Sequence, residues 1–309
     1  GAWLILCTGG PGVTTLTSPG APTLDIPALV SWFERAGRAL PWREPGVSAW
    51  AILVCEVMSQ QTPVARVEPV WRAWLDRWPG PADLAQASPA DVIRMWGKLG
   101  YPRRSLRLQE CAVVVVEQHG GRVPTDVDQL LALPGVGDYT ARAVACFAHG
   151  QRVPVVDTNV RRVVARAVAG RAEAGPPSTR RDLAAVEALL PRRREQAVVF
   201  SVAVMELGAL VCTARSPRCD ECPLAATCAW VAAGRPAWDG PRRRAQTYAG
   251  TDRQVRGLLL DVLRDGEGTA TSDDLDAVWP DAGQRERALD SLLVDGLVVR
   301  TGGRYALPG

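Results

Sequence analysis

Lysine is almost missing from this 309-residue chain: Lys98 stands alone, and arginine supplies the other basic side chains. Chemistry that runs through a side-chain amine, such as Schiff-base formation, is thereby confined to one position. Long apolar runs are missing too; none approaches the ~18 residues of a membrane-spanning helix, so a soluble protein is expected. The net charge is only +3, too small by itself to announce a nucleic-acid partner. No stretch alternates apolar and polar residues cleanly over strand length, and no internal repeat is present. Residues 1–23 hold a short apolar stretch, Ala2 to Cys7, then Gly, Pro, Ser and Thr, without the basic segment that opens a signal peptide. A disordered leader is expected there.

What is present is an ordinary globular balance, 47% hydrophobic and 22% charged. The length suits about two domains. Apolar spacing near 3–4 residues, broken by Gly and Pro, predicts helices over 26–39, 49–57, 64–77, 89–96, 105–118, 127–133, 139–147, 159–169, 179–189 and 197–210. Ser88 and Ser178 stand as polar caps ahead of two of them. Composition shifts over 234–250, rich in Gly, Pro and Arg, which places a linker at 233–247. Beyond it the pattern predicts a helix (252–263), an extended piece (269–271), two helices (272–278 and 282–295) and a hairpin (297–300 and 304–307) about Gly302-Gly303. That is the order of a winged helix, so the chain reads as all-α with a small winged-helix-like C-terminal domain over 248–309; a small helical cap without a ligand fits the same pattern.

Four of the eight cysteines are scattered, and Cys55, Cys111 and Cys146 read as buried thiols in apolar helices. The other four form one cluster, C-T-A-R-S-P-R-C-D-E-C-P-L-A-A-T-C: Cys212, Cys219, Cys222 and Cys228. Four soft thiolates in so short a span converge only if the backbone loops tightly, which Pro217 and Pro223 favour. Such a set suits tetrahedral zinc or an iron–sulfur cube. Zinc sites usually pair two short Cys-x2-4-Cys knuckles, and only one short pair exists here, so a [4Fe–4S] cluster is expected. Arg215 and Arg218 add positive charge to this loop, suited to phosphate contact.

At 130–140 a helix ends in Leu-Leu-Ala-Leu, a Pro134-Gly135-Val136-Gly137 turn follows, and Asp138-Tyr139-Thr140 opens the next helix. Glycines in such a turn let successive N–H groups point outward beside a helix N-terminus, an arrangement that holds phosphate without reading sequence. One helix later comes Val155-Val156-Asp157-Thr158-Asn159-Val160-Arg161-Arg162. Alone, Asp157 is equally a helix N-cap. Hairpin, V-D-T-N-V-R-R string and cysteine quartet together resemble the helix-hairpin-helix DNA glycosylase superfamily, iron–sulfur branch, over about 28–230. The resemblance implies a six-helix barrel domain (49–153) bearing the hairpin and a [4Fe–4S] helical domain (24–48 with 154–232). It also implies phosphate contacts through Gly135, Val136 and Gly137, and an Asp157 carboxylate that faces the sugar of a flipped nucleotide.

Leu40-Pro41-Trp42-Arg43, Glu56-Val57-Met58-Ser59-Gln60-Gln61-Thr62 and Trp96-Gly97-Lys98-Leu99-Gly100-Tyr101 resemble strings of the MutY-type adenine glycosylases. Tyr139 stands where bifunctional relatives carry a lysine nucleophile, which implies a monofunctional enzyme. Glu56, in an apolar helix where burial would raise its pKa, is the expected general acid toward the purine ring. Asp157, ionised, would stabilise the oxocarbenium-like sugar or attack it transiently, and water completes hydrolysis. Asn159 lies near Asp157 and joins the expected catalytic set. By resemblance Gln60, Gln61, Thr62 and Tyr101 meet DNA, with Gln61 and Tyr101 as wedges. Arg38, Leu40, Trp42, Arg43 and Val202 are expected to line the base pocket.

Three departures stand out. Ser59 replaces the family's leucine, Pro102 a second tyrosine, and Val202 a Glu or Gln able to touch the adenine edge. The tail after Tyr248 lacks the Nudix-like domain and F-S-H loop of many relatives, so either the core reads the opposite base or the tail has taken over that task. The expected partner is double-stranded DNA with an adenine mispair, for a monomeric, cytoplasmic, nucleoid-associated protein with no membrane contact. A thymine/uracil mismatch glycosylase and a non-catalytic iron–sulfur DNA-binding regulator are the rival readings.

Overall fold

A computed structural model describes residues 24–241, 248–266 and 268–309. The expected leader, and 242–247 of the expected linker, lie outside the described residues. In chain order the helices are α1 (Ile26–Ala36), α2 (Ala49–Ser59), α3 (Val64–Arg77), α4 (Pro81–Ala85), α5 (Pro89–Trp96), α6 (Arg103–His119), α7 (Val127–Leu131) and α8 (Asp138–Phe147). They continue as α9 (Thr158–Ala167), α10 (Thr179–Glu187), α11 (Arg194–Leu210), α12 (Ala229–Ala232), α13 (Asp252–Asp265), α14 (Ser272–Asp276) and α15 (Ala282–Val294). Three short strands, β1 (Thr269–Ala270), β2 (Val299–Thr301) and β3 (Arg304–Ala306), belong to the C-terminal segment. The periodic helices form close to where the spacing puts them. The five-residue α4 is too short for periodicity to reveal; it starts at Gly80-Pro81, with Asp83 accepting from the Gly80 N–H at 2.9 Å. Ser88 caps α5 as expected, its hydroxyl accepting from Asp91 N at 3.1 Å. Ser178 does not cap α10 through its side chain; instead the Asp182 carboxylate reaches back to Ser178 N at 3.0 Å.

The chain divides into two compact units, the described parts of 1–49 with 138–242 and of 50–137 with 243–309. In the first, α11 (REQAVVFSVAVMELGAL) is apolar nearly all round and therefore sits at the centre of its unit. Phe200, Ala203, Val204 and Leu207 pack on Leu29 and Trp32 of α1 and on Val160 and Val163 of α9. The same core extends to Leu224, Cys228 and Trp230, so the cysteine segment folds onto it.

In the second unit α2 is buried from Trp50 to Met58 except at Glu56. Trp74 of α3 meets Trp78 and Trp96 edge-on, with centroids 4.7 and 5.7 Å apart. The C-terminal residues make helix, strand, two helices and hairpin, as expected. Their sheet is antiparallel in the order β1-β3-β2, with Tyr305 opposite both Ala270 and Arg300. Val255, Leu259, Leu263, Leu292 and Tyr305 form a core that also takes in Ile93 of α5, with Ala90 and Leu106 packed against it. The C-terminal domain thus shares a hydrophobic core with α5 and α6. No described helix is long and apolar enough to cross a membrane.

Candidate active site and cluster-binding segment

Asp157 follows the buried Val155 and stands at the N-cap of α9. One carboxylate oxygen accepts from Val160 N at 2.7 Å, and the other from Asn159 Nδ2 at 2.8 Å. Cap and candidate catalytic group are therefore the same residue: capping occupies Oδ1, and Asn159 orients Oδ2. Burial pushes the carboxyl above its ordinary pKa; the bonds from Val160 and Asn159 and the Arg162 charge work against that rise. Asn159 is fixed in turn, because its Oδ1 accepts from Arg162 Nη2 at 2.7 Å. Arg162 also donates to the Gly208 carbonyl at 2.6 Å and, through Nε, to the Cys212 carbonyl at 2.7 Å. Gly208 permits this approach of α11 to α9: a Cβ there would lie 2.7 Å from Asn159 Cβ. A continuous hydrogen-bond path therefore joins Asp157 to the first cysteine of the cluster segment, which neither motif reveals.

The two arginines expected in the base pocket have partners of their own. Arg38 makes a two-pronged bond to Glu206, Nε to Oε1 at 2.7 Å and Nη2 to Oε2 at 2.8 Å, and Arg43 Nη2 reaches Oε2 at 2.9 Å. Glu206 is 1% exposed. Burial alone would raise its pKa, but the bonds from Arg38 and Arg43 overcome that and pull it down to about 2. Glu206 lies one helical turn beyond the buried Val202, and the signal for it in the sequence is the one carboxylate past the first turn of an otherwise apolar helix. Leu40 is buried and Trp42 half-buried beside these arginines in sequence. Tyr139, on α8, packs on Ala143, Cys146, Val155 and Val198, with its hydroxyl 4.0 Å from the Met205 sulfur.

Cys212, Cys219, Cys222 and Cys228 are free thiols that line one cavity together with Arg166 and Trp230. Among the described residues no three His, Cys, Asp or Glu side chains close on a single-ion position. Four thiols lining one shared cavity are a donor set that suits an iron–sulfur cluster. Burial pushes the Cys222 thiol up to about 11, so loading such a group displaces protons. Arg166, 3% exposed, sits 4.8 Å from the Trp230 ring, donates to the Thr213 carbonyl at 2.7 Å and lies 3.5 Å from Cys212 Sγ. Arg218, expected to face phosphates, is engaged by the Leu210 carbonyl at 2.7 Å and by Glu221 at 3.0 Å; Arg215 is exposed.

The second unit carries the remaining candidates. Glu56 is the half-buried exception in α2. Just beyond that helix, Gln60 is half-buried and Gln61 exposed with φ +57°. Tyr101 is 40% exposed with φ +48°. Of the three described non-glycine residues in the left-handed region, two are the expected wedges and the third is Arg235, in keeping with the tendency of strained backbone to sit at functional sites. Thr62 turns inward, its hydroxyl donating to the Leu99 carbonyl at 3.1 Å, so it ties the two turns together. Arg104 does more of the same. Its guanidinium donates to the carbonyls of Val57 (2.7 Å), Gln60 (2.8 Å) and Gly100 (2.9 Å), and burial lowers its pKa to about 10. Nothing in the sequence singles it out among the arginines. In the hairpin turn Val136 buries its side chain, and Gly135, at φ +76°, lies where a Cβ would be 2.9 Å from Arg107 Cβ.

These features define a helix-hairpin-helix glycosylase with an iron–sulfur segment. Residues 54–187 match the HhH-GPD superfamily of base excision DNA repair proteins, and residues 212–228 match the iron–sulfur binding domain of endonuclease III. The adenine DNA glycosylase of Mycobacterium tuberculosis is 64% identical, over 91% of this chain and 92% of its own length. That of Mycolicibacterium smegmatis is 63% identical over 91% and 95%. A solved thermostable thymine-DNA glycosylase superposes with a TM-score of 0.62 at 26% identity, covering 67% of this chain and 95% of its own. The chain belongs to the adenine DNA glycosylase family: it is a DNA-binding base excision repair enzyme that carries a [4Fe–4S] cluster.

Proposed function

We propose that this glycosylase removes adenine mispaired with 8-oxoguanine or guanine, and that it is monofunctional, hydrolysing the N-glycosidic bond without cutting the strand. The observation that supports the reading best is the Asp157 carboxylate, half-buried and held by two donors at the start of α9. A negative charge fixed in that way stabilises positive charge developing on a sugar without reorganising at the moment of reaction. Glu56 supplies the proton that makes the purine ring a leaving group. The bond from C1′ to the ring nitrogen breaks with its electrons going to the base, Asp157 stabilises the sugar cation, and water adds its oxygen to C1′ while losing a proton that restores the acid form of Glu56. Asn159 holds Asp157 in register. Tyr139 has no amine to trap the opened sugar, and Lys98 pairs with Asp261 at 3.4 Å. The [4Fe–4S] cluster is held by Cys212, Cys219, Cys222 and Cys228 and supplies a rigid DNA-docking loop rather than an acid, base or nucleophile.

Gln60, Gln61 and Tyr101 meet the duplex, Gln61 and Tyr101 opening it, and Gly135, Val136 and Gly137 hold phosphate through backbone N–H groups. Arg38, Leu40, Trp42, Arg43 and Val202 line the base pocket, with Glu206 fixing the two guanidinium groups. The enzyme acts as a monomer in the cytoplasm, at the nucleoid. Single-turnover excision on duplexes holding 8-oxoguanine:A, G:A, G:T and G:U, with borohydride present to trap any Schiff base, tests the reading. Adenine release from the first two duplexes without a trapped adduct is expected. Faster release of thymine or uracil, or a covalent adduct, overturns it.

A further inference from the structure

The C-terminal domain has the winged-helix order but not the charge of a DNA-tracking module. Over 248–309 seven arginines stand against eleven Asp and Glu residues. A domain that grips DNA by its phosphates needs a surplus of cations, because counterion release supplies most of that affinity. The domain is instead built to sit on the barrel helices. It shares its apolar core with Ile93, and it reaches across by Arg103–Asp295 at 3.2 Å and Lys98–Asp261 at 3.4 Å. Lys98 and Arg103 bracket the Gly100-Tyr101 turn, so both ion pairs anchor the domain on either side of that turn.

One side chain of the domain goes further. Arg253, in the first turn of α13, donates from Nη1 to Tyr101 Oη at 2.8 Å, and its guanidinium carbon lies 5.5 Å from the Tyr101 ring centroid. The Arg104 guanidinium carbon is 5.7 Å from the same ring. Tyr248, 54% exposed, lies 5.9 Å from Arg253. The ring of an exposed tyrosine on a left-handed backbone is thus held by two guanidinium groups, Arg104 from its own domain and Arg253 from the appended one. Cation–π contact and a charge-assisted hydrogen bond both favour one orientation of the ring over the many that an exposed Tyr would otherwise sample.

We propose that the C-terminal domain serves as a buttress for the wedge, with Arg253 a positioning residue that fixes Tyr101 for insertion into the duplex, rather than as a second DNA-binding module. The inference rests on the reading of Tyr101 as a wedge. Opening a base pair costs a few kcal/mol, and a wedge already fixed in its working orientation loses less freedom when it inserts. The benefit falls on the step that unstacks the adenine, so it appears in the excision rate and hardly in duplex affinity.

The test is a double-mutant cycle in the full-length holoenzyme, with Arg253→Ala, Tyr101→Phe and their combination, plus Arg253→Lys and Tyr101→Ala. Readouts are the single-turnover excision rate on an 8-oxoguanine:A duplex, the affinity for that duplex, and the fluorescence of 2-aminopurine placed beside the target adenine. Arg253→Ala and Tyr101→Phe are each expected to slow excision about tenfold and to reduce the 2-aminopurine signal, with the double variant no slower than either single one. Affinity should change by no more than about twofold, and Arg253→Lys should recover part of the rate. If Tyr101→Ala is impaired while Arg253→Ala is not, or if the two single effects multiply in the double variant, the buttress is refuted and the wedge survives. If Tyr101→Ala itself excises at the wild-type rate, the wedge reading fails and the buttress with it. An Arg253→Ala defect confined to affinity assigns Arg253 to direct DNA contact and overturns the inference.

Discussion

Arg162 holds Asn159 by a 2.7 Å hydrogen bond from Nη2 to Oδ1, while its Nε reaches the Cys212 carbonyl at 2.7 Å. The cysteine segment is therefore wired to the carboxylate of Asp157 through two side chains. Arg162→Gln keeps a polar group but cannot span all three acceptors. Excision should fall about ten- to a hundredfold, the range typical for loss of an outer partner that orients a working group. Single-turnover rates beside iron content check this: lowered rate with retained iron is expected, and a wild-type rate contradicts it.

Glu206 gives a pH prediction with a definite sign. Its carboxyl is pulled from 4.5 to about 2 in the folded protein, so in that interval the unfolded state binds more protons. Its contribution to stability is complete above the unfolded value and fades as pH falls from about 4.5 toward 2; at full strength it is on the order of 3 kcal/mol. The difference in unfolding temperature between wild type and Glu206→Gln should be constant from neutral pH to about pH 5.5 and shrink below about 4.5. A difference unchanged down to pH 3 would disprove the assignment.

Arg104 ties the end of α2 to the Gly100-Tyr101 turn. Arg104→Met fills the space but leaves several carbonyl acceptors unpaired, at a cost of about 2–4 kcal/mol. Chemical denaturation should show that loss, and Arg104→Lys should restore little of it, because one ammonium cannot fork among acceptors in separate turns.

Losing the cluster should cost fold and binding before chemistry. Cys222→Ser is expected to lower iron content and weaken duplex affinity, while excision at saturating enzyme persists in the fraction still folded. Full affinity in an iron-free preparation would contradict the docking role.

Legibility in the sequence followed the range of the interactions. Helix positions, the hairpin turn and the cysteine quartet are local patterns that spacing exposes, whereas the role expected of Asp157 comes from the family resemblance those patterns carry. Glu206 escaped because its arginine partners lie 163 and 168 residues away in a chain where arginine is everywhere. Arg253 and Tyr101 are 152 residues apart, and neither carries a motif for the other. The C-terminal domain was legible as a winged-helix order but not as a tenant of α5: Ile93 looks like any core residue until the domain covers it. That contact also makes deletion of 248–309 a poor probe, since it would expose Ile93, and point variants are preferable.

The proposed chemistry rests on two carboxylates, Glu56 as the acid toward the purine and Asp157 as the charge beside the sugar. Single-turnover excision of adenine opposite 8-oxoguanine, measured beside duplex affinity for Glu56→Gln and Asp157→Asn, puts it to the test. Both variants should bind the duplex nearly as wild type does and release no adenine on the time scale of many wild-type turnovers. Adenine release by either variant at a rate near that of wild type would contradict the account.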